Sequence, residues 1–439
     1  MQLDGPVLLY GAGREARSTR AFLKTVSPDT KVYVTVDSGE AEIEDSEALS
    51  PEELSSAIAG RRFSLIVKSP GVSRYKPVFA EAEAAGISVT SNLNLWGEAY
   101  REGRTVIAIT GTKGKSTTAT LTHLMLTHSG LDAGLAGNVG LAPLEIVDRH
   151  RIVVFELSSY QTADLGFTPD IAGLTNLYPE HVDWHGTVDQ YYADKLNLFA
   201  GREGIQVALS DQAAALPLVQ EALGGGARPI RPLEPLIEDA VTEAVRSSRL
   251  KGAHNLDNAR LAARLALNAG ATLDGVLAGI AAFAPLPHRL EEHRIGGLIF
   301  VDDSISTTPE ATKAALNAYH GYRIALIAGG HERQQDYHEL AGLLAGFGVK
   351  TLVCLPITGA RLASATRSAA PDIDVVAAPH LLAAMETLRE RQKDFDAVIL
   401  SPGAPSYNQL LNDSVVFKNF EERGTAFIAL AHEFFGRTA

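Results

Sequence analysis

The β-prone run Thr105-Val106-Ile107-Ala108-Ile109 passes directly into Thr110-Gly111-Thr112-Lys113-Gly114-Lys115-Ser116-Thr117, and a helical pattern follows from Ala119. A strand that turns through glycines into a helix commits the chain to a βα unit, and so to parallel sheet. Gly111 and Gly114 allow backbone N–H groups to turn inward on a polyphosphate, and Lys115 supplies a point charge. Ser116 or Thr117 can offer a hydroxyl to Mg²⁺. The spacing is unusual, since only Thr112 and Lys113 separate Gly111 from Gly114. The competing reading is a glycine turn that happens to precede a helix. With strand, Gly-Lys-Ser and helix all in place, the pattern favours a site for ATP or a close relative.

Short apolar strands alternate with longer helical patterns along most of the 439 residues, which predicts an α/β fold with mainly parallel sheets. Three domains are expected. The first, 1–94, opens with Val7–Tyr10 and Gly11-Ala12-Gly13-Arg14-Glu15-Ala16, a Rossmann-like turn whose signal is weak alone. Asp37 closes a second strand, where an acidic side chain can meet a ribose or base. Leu65–Lys68 then runs into Ser69-Pro70-Gly71. The second domain, 95–285, is of the phosphate-loop ATPase type, and the third, 286–439, is again Rossmann-like, with strand–glycine edges at Leu298–Asp303, Ile324–Gly330 and Val398–Gly403.

A net charge of −13 argues against a broad nucleic-acid surface. The single cysteine, Cys354, excludes an intramolecular disulfide and a cysteine-based zinc site. No secretory signal and no run of the ~18 apolar residues needed for a membrane span is found. The expectation is a cytoplasmic monomer, with no nucleic-acid partner and no membrane insertion.

Several polar residues can carry chemistry. Glu156 ends the strand Ile152–Glu156, either as a ligand for Mg²⁺ or as the cap of a helix starting near Ser158. In Glu180-His181-Val182-Asp183-Trp184-His185 the two histidines stand as in a helical zinc pair, but Val182 occupies the position of the glutamate base, and a zinc protease is rejected. His181 suits a second Mg²⁺, whereas a structural hydrogen bond accounts for His185. By periodicity Lys195 is an ordinary solvated helix lysine. His254, Asn255 and Asn258 open a helix, where nucleotide contact and capping are equal rivals. Asp303–Thr308 and Ser401–Ser406 sit at carboxyl edges of strands, where ligands bind in open α/β sheets.

Taken together, the phosphate loop, Glu156-Leu157-Ser158-Ser159-Tyr160-Gln161, Glu180–Asp183, His254-Asn255, Leu286-Pro287-His288-Arg289 and Phe417–Gly424 resemble the Mur ligases. These are ATP-dependent amino-acid ligases of peptidoglycan precursor synthesis, and the resemblance leans to the glutamate-adding branch. It implies a reaction in which the carboxylate of UDP-N-acetylmuramoyl-L-alanine attacks the γ-phosphate of ATP. Glutamate then attacks the acyl phosphate to give an amide and inorganic phosphate. D-glutamate is the family norm and the expected substrate, with L-glutamate the alternative and a folylpolyglutamate synthase-like ligase a more remote one.

The resemblance also implies roles. Lys115, His181 and Lys195 would be catalytic. Gly111, Thr112, Lys113, Gly114, Lys115, Ser116, Thr117, Asn258, Arg289 and Asp303 would hold ATP. Gly13, Asp37, Ser38, Ser69, Pro70, Gly71, Asn138 and His181 would meet the uridine substrate. Thr307, Arg333, Ser406 and Phe420 would receive glutamate. Ser116, Glu156, His181 and a carbamylated Lys195 would hold Mg²⁺, which overrides the bland reading of Lys195. Departures from the family pattern are Lys113 for asparagine, Ile305 and Arg333 at positions of lysines, and a longer stretch from Tyr407 to Val416. Gly13–Arg17, Asp303–Pro309 and Ser401–Ser406 lean toward a branch that adds L-glutamate.

Overall fold

The computed structural model describes residues 5–37, 41–146, 149–250, 252–284, 287–332 and 335–436. Ser38, Leu286 and Arg333, singled out above, lie outside the described residues, as does Pro285. The chain forms two compact units, Met1–Ser248 with His254–Phe283, and Arg249–Ala253 with Ala284–Ala439.

The first unit holds two sheets. In one, β1 (Val7–Tyr10), β2 (Val32–Thr35), β3 (Glu47–Ala48), β4 (Leu65–Lys68) and β5 (Ser88–Ser91) pair in parallel in the order β3-β2-β1-β4-β5. This is a doubly wound order, reversing between β1 and β4. The other contains β6 (Thr105–Thr110), β7 (Ala133–Gly137), β8 (Ile152–Glu156), β9 (Ile171–Leu174), β10 (Gln206–Leu209) and β11 (Arg228–Pro229). All its pairings are parallel, in the order β11-β10-β9-β6-β8-β7. Central parallel strands are covered on both faces, which is why Val106–Ile109 reads as an unbroken apolar run and is buried throughout.

One apolar core spans both sheets, from Val7 and Leu9 through Trp96 to Phe155 and Phe199. Trp96, on the helix Asn92–Tyr100, is fully buried and meets Phe155 edge-on with centroids 4.8 Å apart. Burying such a ring removes a large apolar area from water, and the edge-on geometry adds about 1 kcal/mol.

The second unit holds β12 (Glu291–Ile295), β13 (Leu298–Asp302), β14 (Ile324–Ala328), β15 (Val349–Cys354), β16 (Asp374–Ala377) and β17 (Ala397–Leu400). They are ordered β12-β13-β17-β14-β15-β16, with only β12 antiparallel to its neighbour. The α/β class expected from the sequence is the class observed. Among the described residues no helix is long and apolar enough to cross a membrane.

Candidate active site

The glycine loop leaves β6 at the middle of its sheet, where the strand order turns. Gly111 has φ +141°, and a Cβ there would collide with Thr175 Oγ1 and crowd Asn176. Gly114 has φ +82° and caps the helix Lys115–His128 with no side-chain hydrogen bond, so its first turn faces the loop uncapped. Asn258 lies against Gly114, placing the helix Ala253–Asn268 over the loop. Asn258 donates to Asn255 Oδ1 at 3.2 Å and accepts from Thr118 Oγ1 at 3.5 Å.

The loop is braced from β9. Thr112 N donates to Asn176 O at 2.8 Å and Lys113 N to Asn176 Oδ1 at 2.7 Å, while Thr175 Oγ1 donates to Lys113 O at 2.6 Å. Lys115 Nζ folds back onto Thr112 O at 2.8 Å. Lys113 is exposed and pairs with Glu180 Oε1 at 2.5 Å, so its extra charge is met by a carboxylate. Burial works against the charge of Glu180, but Lys113 holds its carboxyl below the usual range. Ser116 is half-buried at the start of the helix and Thr117 buried behind it.

Glu156 is 1 % exposed. Its Oε1 receives Asn138 Nδ2 at 3.3 Å, and its Oε2 is buried with no hydrogen-bond partner. The capping alternative fails here, because Ser158 caps the helix Ser159–Ala163 in a box with Gln161. A buried carboxylate oxygen without a donor is costly unless a cation or proton meets it. The Glu156 carboxylate and the Ser116 hydroxyl are hard oxygen donors of the kind that could hold Mg²⁺.

Lys195 is not the solvated lysine that periodicity suggests. It lies on the helix Val188–Leu196, is 2 % exposed, donates to Gly111 O at 2.7 Å and sits 4.9 Å above the Tyr191 ring. Burial, reinforced by Lys115, pushes its pKa well below the ordinary lysine value. Tyr191 in turn shares a hydrogen bond of 2.9 Å with Thr112 Oγ1, fastening this helix to the glycine loop.

The two histidines part ways. His181 takes a left-handed backbone (φ 54°) ahead of the helix Val182–His185 and keeps an accessible ring, with Tyr160 OH 2.9 Å from Nδ1. Burial lowers its pKa, favouring the neutral ring a metal requires. The His185 side chain is fully buried, 2.5 Å from Asp194 Oδ2 and 2.9 Å from Ser159 Oγ, the structural role expected of it.

At the carboxyl edge of the first sheet, Gly13 caps the helix Arg14–Val26, again with no side-chain bond. Ser69, Pro70 and Gly71 follow β4, the neighbour of β1 across the reversal point, and Ser69 N donates to Tyr10 O at 2.9 Å. Asp37 accepts from Tyr10 OH at 2.6 Å and from Lys76, which together keep its carboxyl below its ordinary range against the effect of burial. Arg14 spans to the second sheet, donating to Gly137 O at 2.6 Å and Gly140 O at 2.9 Å on either side of Asn138. Glu15 is buried, accepting Gln161 Nε2 at 2.7 Å on Oε1 while Oε2 has no partner, and burial raises its pKa to about 7.

In the second unit Asp303 follows β13 and is 3 % exposed. It accepts Ser306 Oγ at 2.5 Å, Ser401 Oγ at 2.7 Å and Leu290 N at 3.3 Å, and burial raises its pKa to about 6 despite these bonds and the nearby Arg289. Thr307 is half-buried in the same turn and Ser406 buried after β17, while Phe420 starts the helix Phe420–Phe435. Arg423, unassigned from the sequence, ties these segments together. It is fully buried and donates to Ser304 Oγ at 3.0 Å, Ser304 O at 2.9 Å and Ala404 O at 3.5 Å, and Ser304 Oγ donates to Phe420 O at 2.8 Å. Tyr75, Tyr160, Gln161 and Asp194 were given no role from the sequence, because the contacts of Tyr75 with Asp194, Tyr160 with His181 and Gln161 with Glu15 join side chains remote in sequence.

Comparison with known proteins places this geometry. Residues 109–225 match the Mur ligase middle domain. The chain is 35 % identical to the UDP-N-acetylmuramoyl-L-alanine–L-glutamate ligase of Xanthomonas euvesicatoria pv. vesicatoria (strain 85-10), covering 98 % of this chain and 96 % of that one. It is 34 % identical to the UDP-N-acetylmuramoylalanine–D-glutamate ligase of Rubrobacter xylanophilus (strain DSM 9941), covering 83 % and 84 %. In fold it is similar to MurF from Acinetobacter baumannii, with a TM-score of 0.60 at 16 % identity, over 97 % of this chain and 90 % of that one. A phosphate loop braced by Asn176, a buried Glu156 with one unpartnered oxygen, a desolvated Lys195 and similarity to two such enzymes over 98 % and 83 % of the chain lead to one conclusion: the chain belongs to the Mur ligase family.

Proposed function

We propose that this protein is an ATP-dependent ligase that joins glutamate to UDP-N-acetylmuramoyl-L-alanine in peptidoglycan precursor synthesis, and that its glutamate is the L enantiomer. The observation that carries the ligase reading is the buried, unpartnered Oε2 of Glu156 in a unit that also carries the glycine loop and Lys195. For the enantiomer, relatives named as L-glutamate ligases align over 98–99 % of the chain, against 83 % for the D-glutamate ligase described above. This departs from the D-glutamate expected from the sequence, and direct assay separates the two.

In this reading the uncapped helix after Gly114 and the lysines of the loop hold the triphosphate. Gly111–Thr117, Asn258, Arg289 and Asp303 would be the ATP residues, and Gly13, Asp37, Ser69–Gly71, Asn138 and His181 the uridine-substrate residues. Thr307, Ser406 and Phe420 receive glutamate. Ser116 and Glu156 would hold one Mg²⁺, with His181 and Lys195 on a second. Bound there, Mg²⁺ supplies charge neutralisation between the substrate carboxylate and the γ-phosphate. Desolvation leaves more of the Lys195 amine neutral, the form that reacts with CO₂, which supports the expected carbamate.

The test is phosphate release with ATP, Mg²⁺ and UDP-N-acetylmuramoyl-L-alanine, supplied with L- or D-glutamate. Turnover with L-glutamate alone is expected. Turnover with D-glutamate alone reverses the enantiomer, and turnover with neither removes the ligase reading. Lys195→Ala should abolish turnover and recover part of it when a short-chain carboxylate is added.

A further inference from the structure

The setting of Lys195 depends on side chains that the ligation reading does not use. The residue before it, Asp194, is only 6 % exposed, yet its carboxylate is fully engaged. Tyr75 OH reaches Oδ1 at 2.6 Å and Oδ2 at 2.9 Å, Gln190 Nε2 donates to Oδ1 at 2.9 Å, and His185 Nδ1 lies 2.5 Å from Oδ2. Gln190 Nε2 also donates to the Tyr75 oxygen at 2.8 Å. Three of these residues come from the same stretch of chain as Lys195. Tyr75 alone comes from elsewhere.

Tyr75 belongs to the segment that leaves β4 and begins with Ser69, Pro70 and Gly71. That segment is docked on the helices beside it at several points. Trp184 Nε1 donates to Pro70 O at 3.2 Å, and Ser73 Oγ donates to Trp184 O at 2.8 Å. The Tyr75 ring stands edge-on to Trp184 at 5.9 Å, and Trp184 stacks on Tyr160 at 4.7 Å. Tyr160 is the residue whose hydroxyl meets His181 Nδ1. One continuous set of contacts therefore runs from the Ser69–Gly71 turn to both His181 and Lys195. Tyr75 itself is 45 % exposed, an unusual place for a side chain satisfying a buried carboxylate.

We infer that Tyr75 is a positioning residue for Lys195, holding the helix Val188–Leu196 through Asp194, so that binding of a uridine diphosphate substrate at Ser69–Gly71 and the placement of Lys195 are energetically coupled. The inference rests on the ligase reading. Loss of the phenol would leave Asp194 with His185 and Gln190, so the helix keeps its local bonds and loses its tie to the turn. Coupling of this kind is reciprocal, and it needs a physical connection between the two sites, which these contacts provide.

Tyr75→Phe keeps the ring against Trp184 and removes only the hydroxyl. In the full-length wild-type chain, UDP-N-acetylmuramoyl-L-alanine without ATP should slow amide hydrogen exchange across Val188–Leu196, and in Tyr75→Phe it should not. Turnover should fall about tenfold in kcat, with KM for ATP unchanged within about twofold. Equal substrate-dependent protection in the variant overturns the inference, whatever its kcat. Absence of such protection in the wild-type chain overturns it as well. A uniform loss of thermal stability with the protection retained would reduce Tyr75 to packing. If the wild-type chain ligates no glutamate, the ligase reading fails by itself, and the exchange comparison still decides whether turn and helix are coupled.

Discussion

The first unit contains two strand–glycine–helix turns that look alike in sequence and differ in how much they depend on their second glycine. In the phosphate loop Gly111 and Gly114 both have positive φ, and a Cβ on either meets neighbouring atoms. In the Gly11–Gly13 turn only the first glycine is constrained, with φ +110° and Ser69 Oγ 2.5 Å from a Cβ built there. Gly13 has φ −78°, and a Cβ there meets nothing within 4 Å. The phosphate loop is enclosed by the residues that follow β9 and by the helix bearing Asn258, whereas Gly13 is exposed. A glycine pattern identifies a turn, and only the neighbours determine which glycines the fold itself requires.

Substitutions can break this comparison. Gly111→Ala should have the largest effect, because left-handed strain and the clash with Thr175 add to about 3 kcal/mol or more, and ATP-dependent turnover should be lost. Apparent Tm and phosphate release measure both.

The next effect in size is a pH dependence that belongs to the first turn. The folded-state pKa of Glu15 is raised from 4.5 to about 7, so folding favours its protonated form. That contribution is fully present below the unfolded pKa and is lost as pH rises through the folded one, at most about 3 kcal/mol. Glu15→Gln should flatten the fall in apparent Tm between about pH 5 and about pH 8, and an unchanged slope would remove Glu15 as its source.

Gly114→Ala should cost about 1–2 kcal/mol, since the obstructing atoms belong to the Asn258 side chain. Adding Asn258→Ala should restore part of the stability but not the ATP affinity. Gly13→Ala should be the smallest, within about 0.5 kcal/mol, with any effect confined to KM for the uridine substrate. A loss of Tm comparable to that of Gly114→Ala would show that the two turns are equivalent after all.

The alternation of strands and helices was legible because parallel strands covered on both faces read as short apolar runs, as in Ile152–Phe155 and Ile324–Ala328. The glycine loop was legible because its chemistry is local, with strand, turn and helix contiguous. Lys195 was legible only through the family resemblance, since periodicity reports which face of a helix a residue occupies and cannot report that Gly111 and Tyr191 pack against it. Arg423 escaped for a related reason. Its partners Ser304 and Ala404 follow two different strands, and a buried guanidinium held by carbonyl oxygens has no spacing rule. For Glu156 the sequence offered two roles, and the Ser158–Gln161 capping box removed one of them.

The ion pair between Lys113 and Glu180 has a consequence for selectivity. A cationic loop left bare would attract any small anion in its surroundings, inorganic phosphate included. Here the most exposed lysine of the loop is already occupied by a tethered carboxylate at high effective concentration. A weak monoanion gains little by displacing it, whereas a polyphosphate presents enough charge at several points to do so. With the triphosphate in the loop as proposed, Glu180 would be an internal competitor that the ligand has to displace from Lys113.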